Sequence, residues 1–203
     1  SDIKEITDFL DKQFAHDGNP GVKVIDKSEV LGVKRIASSV NGTRRLQLLQ
    51  DFKCQELWDA YGEERHGRRP PTTPFPIGDG HPALDNDNRV VGGSEAEGLR
   101  IHSKGYRKVL GSILWIARNA TPMASYAASI LSKCMQQPTE VSWDAAMHTM
   151  HYLFDTKDRG IAFRSDGNLE PVCYYDSGFN QQTKLQTHPQ YGFIIFWCGA
   201  PII

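Results

Sequence analysis

The chain has 203 residues, with 23 Lys+Arg against 24 Asp+Glu and a formal charge of −1. At roughly 150 residues per domain, this allows one ordinary domain or two small ones, and the composition excludes collagen, coiled coil and a disordered tail. With no net positive charge there is no global field to hold a phosphate backbone, so any grip on nucleic acid has to be local.

Ile3, Ile6, Leu10 and Phe14 recur at helical spacing, and Asp2 with Glu5 has the separation of a capping box, which predicts an amphipathic helix over residues 2–15. Asn41-Gly42 lies between the strand-like runs 30–40 and 43–50. That dipeptide tolerates positive φ at both central turn positions and predicts a two-residue hairpin. Leu48, Phe52 and Trp58 lead into a short helix over residues 51–61, with Gly62 as its stop. Residues 65–76 are basic and proline-rich, and Arg65, Arg68 and Arg69 read as cations of a solvated loop. Residues 77–103 are rich in Gly, Asp and Asn and read as an extended linker.

Residues 109–132 carry one charge, Arg118, but Asn119, Thr121 and Pro122 interrupt them. Two packed helices over 105–118 and 123–135 are therefore expected rather than a membrane span. A third helix over 139–154 places Trp143, Met147, Met150 and Phe154 on one stripe. Strand periodicity follows at 160–164, 169–175 and 191–198, with a turn at Asp166-Gly167-Asn168. Cys54, Cys134, Cys173 and Cys198 form no C-x-x-C pair, which predicts buried free thiols rather than a zinc ribbon or disulfide framework. His148 and His151 stand three apart on a helix without a third ligand placed by spacing, so no metal is expected.

Several motifs occur in a fixed order. Tyr106-Arg107, Gly111-Ser112 and Trp115-Ile116-Ala117 look like Y-R-x-x-x-G-S-L-x-Y-L-A; Gln137-Pro138 followed by Trp143 looks like N-P-x-x-x-x-W; Tyr152-Leu153, Thr156 and Gly160 keep the spacing Y-L-x-x-T-x-x-x-G. Together they resemble the polymerase polyprotein of copia-type retrotransposons. The resemblance implies an α+β chain. Residues 1–76 would be a palm-like helix and hairpin, 77–103 a linker, 104–159 a thumb- or connection-like helical bundle, and 160–203 a partial ribonuclease-H-like hairpin. It also implies that Ser1 falls just after the Y-x-D-D hairpin whose aspartates hold the polymerase magnesium ions.

Two departures from the family carry the functional expectation. Asp176 matches the first ribonuclease H aspartate, but the second acidic position is Gly178, and a lone carboxylate does not clamp two metal ions. Positions that carry phosphate-facing cations in the family's third helix are here Met147, His148, His151 and Phe154. Each lost phosphate contact also removes released counterions from the binding free energy. The expectation is a noncatalytic interaction or structural subunit of a larger assembly, without cofactor and with a protein partner. Phe193, Ile195 and Trp197 are its interface candidates, since an apolar two-stranded ribbon needs a cover. The alternative is a part of a working reverse transcriptase that holds an RNA–DNA hybrid through Lys104, Arg107, Lys108, Arg68 and Arg69.

Overall fold

The computed structural model describes residues 29–76, 92–178 and 190–202. The helix expected at 2–15 and residues 77–91 of the expected linker lie outside them. The chain is α+β, with two antiparallel sheets and five α-helices among the described residues.

The first sheet has the order β1-β2-β3-β4: Glu29–Val30, Val33–Val40, Thr43–Leu49 and Ile161–Arg164. Asn41 and Gly42 take φ of 51° and 82°, the two left-handed residues a tight hairpin turn requires, and Val40 pairs with Thr43 across them. The strand expected over 30–40 is interrupted. Leu31 and Gly32 also take positive φ and make a second two-residue turn, so Val30 folds back on Val33. Leu48 pairs with Ile161 and Arg45 with Arg164, so one sheet joins the N-terminal hairpin to the strand that follows the last helix.

Helix α1, Asp51–Tyr61, leaves the sheet as expected and ends at Gly62. That glycine is in right-handed conformation. It is required by close approach, because a Cβ there would lie 2.5 Å from the Trp58 indole. The linker reading is corrected over its second part: Glu95–Ser103 is helix α2, started by Ser94, whose hydroxyl accepts from the Glu97 amide. Ile101 anchors it in the core.

Helices α3 (Tyr106–Asn119), α4 (Ser125–Lys133) and α5 (Glu140–Asp155) complete the bundle. α5 opens with a capping box in which Thr139 and Ser142 bond each other's backbone amides. Val109, Leu110, Ile113 and Ile116 on α3 pack with Leu131 on α4 and with Ala146, Met150 and Leu153 on α5. Each fully buried large aliphatic side chain contributes about 1.5–3 kcal/mol relative to exposure. The Tyr106 hydroxyl donates to the Leu131 carbonyl at 2.8 Å and ties α3 to α4. No helix among the described residues is long and apolar enough to cross a membrane.

The second sheet is β5-β6-β7: Val172–Gly178, Gln190–Trp197 and Ala200–Pro201. Its first strand starts at Val172 rather than at Leu169, because Trp197 Nε1 donates to the Leu169 carbonyl at 2.9 Å and holds that residue in a bend. The Arg164 amide donates to the Cys198 carbonyl at 2.9 Å and joins the two sheets at a corner.

Candidate functional site

The face of α5 that departs from the resembling family is packed against protein. Phe154 stacks on Trp58 of α1 with ring centroids 4.4 Å apart, and His151 lies 4.9 Å from the same indole. Met147 is buried, and His148 Nε2 is 3.0 Å from the Thr73 carbonyl. Burial, and then the Arg65 guanidinium, hold the His151 pKa below its ordinary value of 6.5. Burial lowers His148 likewise, opposed by its bond to Thr73. Arg65, expected in a solvated loop, is instead buried. It donates to the Asp144 carbonyl at 3.0 Å and pairs with the Asp144 carboxylate, which ties the proline-rich segment to α5. Among the described residues no group of three or more His, Cys, Asp or Glu is placed to hold a metal ion.

The expected basic residues divide. Lys104 bonds both oxygens of Glu140 at 2.9 and 3.0 Å and lies over the Trp143 ring. Arg100 joins the same carboxylate. The Lys104 hydrogen bond holds the Glu140 carboxyl below the usual carboxylate range. Lys104 is thus committed to tying the α2–α3 junction to the start of α5. Arg107 and Lys108 are exposed on the first turn of α3, and Arg68 and Arg69 are exposed after α1.

A denser set of cations was missed. Lys34, Arg35, Arg44, Arg45 and Arg164 all lie exposed on β2, β3 and β4. Lys34 pairs with Asp51 at 3.1 Å and Arg164 with Asp166 at 2.8 Å, while Arg45 stands directly opposite Arg164. Like charges in that position repel. The signal was available in sequence, as cations flanking the Asn41-Gly42 turn on both arms.

On the second sheet, the register puts Cys173 with Ile195, Tyr175 with Phe193 and Ser177 with Tyr191. Alternation therefore gathers Tyr175, Tyr191, Phe193, Ile195 and Trp197 on one face. Tyr175 is 85% and Tyr191 79% exposed, and the three expected interface residues share this face. Cys173 is exposed there too, against the expectation of burial. Cys54, Cys134 and Cys198 are buried, and burial pushes the Cys54 thiol up to about 12, which leaves it unreactive. Asp176 lies exposed across from Gly192. It lines an open groove of about 790 Å³ between the ribbon and α4, with Tyr126 and Lys133 on the helical wall.

Two curated relatives match 48% of this chain, each over 97 residues. One is a protein attributed to transposon Ty5-1 of Saccharomyces cerevisiae, 27% identical, of which the match covers 31%. The other is a retrovirus-related Pol polyprotein from transposon RE2 of Arabidopsis thaliana, 31% identical, of which it covers 6%. The match thus spans less than a third of either relative. No protein-family model matches the chain, and no solved structure matches it. These similarities support a segment of a retrotransposon polyprotein.

Proposed function

We propose that this chain is a noncatalytic protein of reverse-transcriptase descent that serves as an interaction or structural subunit of a larger assembly. The observation that carries the reading is the aromatic face of the β5–β6 ribbon. Tyr175, Tyr191 and Phe193 stand exposed together on the β5–β6 ribbon, to which β7 adds only two residues, and so slight a sheet gains stability when a further layer covers it. Exposed aromatic clusters of this kind supply the anchors of protein interfaces. The packing of His151 and Phe154 against Trp58 of α1 adds support, since that part of α5 is occupied by protein. The test is native co-purification with the full chain and with a Tyr175→Ser/Phe193→Ser variant. A defined companion protein should travel with the first and not with the second, at unchanged thermal stability. Recovery of the same companions with both, or magnesium-dependent cleavage of an RNA–DNA hybrid by the purified chain, would overturn the reading.

A second reading, a nucleic-acid-holding part of a reverse transcriptase, is favoured by the five exposed cations of β2, β3 and β4. It requires binding to an RNA–DNA hybrid that weakens steeply with salt. Absence of binding at about 50 mM salt eliminates it.

A further inference from the structure

The corner where the two sheets meet holds an open cleft of about 560 Å³. Ala37, Leu46 and Phe163 face one another across β2, β3 and β4, and Trp197 of β6 lies beside them, its ring 6.2 Å from that of Phe163 and inclined by 66°. Leu46 is 40% and Trp197 43% exposed, so this apolar surface is wet in the free chain. Main-chain contacts hold the corner. The Arg164 amide donates to the Cys198 carbonyl and the Cys198 amide to the Asn168 carbonyl, each at 2.9 Å, and Gly167 lies so close to the Cys198 backbone that no Cβ would fit there. The walls are therefore in place before anything binds, as in most small-ligand sites.

Most polar groups around the cleft are already committed. Trp197 Nε1 donates to the Leu169 carbonyl, Ser165 Oγ accepts from the Arg44 amide, and the Arg164 guanidinium makes two bonds to Asp166. Ser38 and Arg45 belong to the opposite face of the sheet. Arg44 is different. It stands two residues from Leu46 along β3, on the same face as the apolar row, lines the cleft and has no ion pair with a described residue. Among the described residues no Asp or Glu lines the cleft. An apolar floor beside one uncommitted guanidinium is complementary to a ligand that carries both an apolar body and a negative charge.

We propose that this cleft binds a single-chain carboxylic acid, with its hydrocarbon tail against Leu46, Phe163 and Trp197 and its carboxylate on the Arg44 guanidinium. The inference goes beyond the interaction-subunit reading and does not depend on it. Each part of the ligand answers one part of the site. Covering the floor with a tail removes apolar area of both from water, which is the favourable term. A carboxylate matches the planar fork of a guanidinium and accepts charge-assisted hydrogen bonds from it. A phosphate backbone would engage Arg44 and leave the apolar floor wet. An uncharged apolar ligand would cover the floor and leave Arg44 without a counter-charge.

The test titrates the full chain with cis-parinaric acid, a fluorescent single-chain acid, below its micelle concentration, and with its methyl ester. Saturable binding of the acid is expected, with amide NMR shifts centred on Ala37, Leu46, Phe163 and Trp197, and the ester should bind about tenfold more weakly. Arg44→Gln should weaken the acid about tenfold and leave the ester unchanged, because it removes only the partner of the carboxylate. Ala37→Phe, at an exposed strand position, should fill the cleft and abolish binding of both. Equal affinity for acid and ester, indifference to Arg44→Gln or to Ala37→Phe, or no binding up to about 100 µM overturns the proposal. Loss of binding in the Tyr175→Ser/Phe193→Ser variant places the acid on the ribbon and overturns it. Displacement of the acid by an RNA–DNA hybrid returns Arg44 to phosphates and also overturns it. A chain that sediments with phosphatidylserine vesicles but takes up no dispersed acid recognises a membrane surface instead, and the proposal falls.

Discussion

Tyr106, Ile113, Ile116 and Leu131 in the helical core are inaccessible to solvent, whereas Tyr175, Tyr191 and Phe193 on the ribbon are largely exposed. The two regions draw on the same residue types and end in opposite environments. In the bundle, the buried faces of α1, α3, α4 and α5 meet in one continuous apolar cluster. On the ribbon, Tyr175, Tyr191 and Phe193 line the open groove opposite Tyr126 and Lys133 of α4 and stay accessible to solvent. Apolar character alone therefore does not identify core. Stability belongs to the bundle, and the ribbon's aromatic face is available for association.

The sharpest test of that division is a truncation in the bundle. Ile113→Ala should cost about 2–5 kcal/mol, because it combines lost transfer energy with a cavity at the centre of three helices. Chemical denaturation measures it, and a cost below about 1 kcal/mol would mean the bundle is not the stabilising region.

An intermediate effect is expected from pH. Burial lowers the pKa of His148 and His151 in the folded chain, so the unfolded chain takes up protons first as pH falls. Their contribution to stability is present above about 6.5 and is lost as pH drops through that value toward their lowered folded pKa values. The melting temperature should decline between pH 7 and pH 5, and His151→Leu should flatten the decline. A slope unchanged in that variant would place the titration elsewhere.

The smallest effect on stability should come from the ribbon. Tyr175→Ser and Phe193→Ser should each change unfolding free energy by no more than about 0.5 kcal/mol. The companion protein should nevertheless be lost. Large destabilisation would show that the ribbon face supports the fold rather than a partner.

Legibility followed the range of the interactions. The Asn41-Gly42 hairpin and the helices over 51–61, 106–119 and 140–155 were readable because turn chemistry and apolar spacing act over a few residues. The helix at Glu95–Ser103 was readable too, through Ser94 and Glu97 at capping-box separation, but the surrounding Gly, Asp and Asn obscured it. The candidate sites were less legible. Phe193, Ile195 and Trp197 were identified, and alternation alone puts them on one face. The cleft lined by Ala37, Leu46, Phe163 and Trp197 was not, since it needs Ile161–Arg164 to pair with a strand more than a hundred residues away.

The sequence by itself determined the alternation of helix and strand, the tight turns and the apolar stripes, because backbone sterics and side-chain periodicity are local. Only the tertiary structure decided that Arg65 and His151 would be buried, that Lys104 would serve Glu140, and that Arg164 would join the four cations of the hairpin on one sheet. Those outcomes depend on which distant segments meet, and the same charged residue is solvated or buried according to what packs over it.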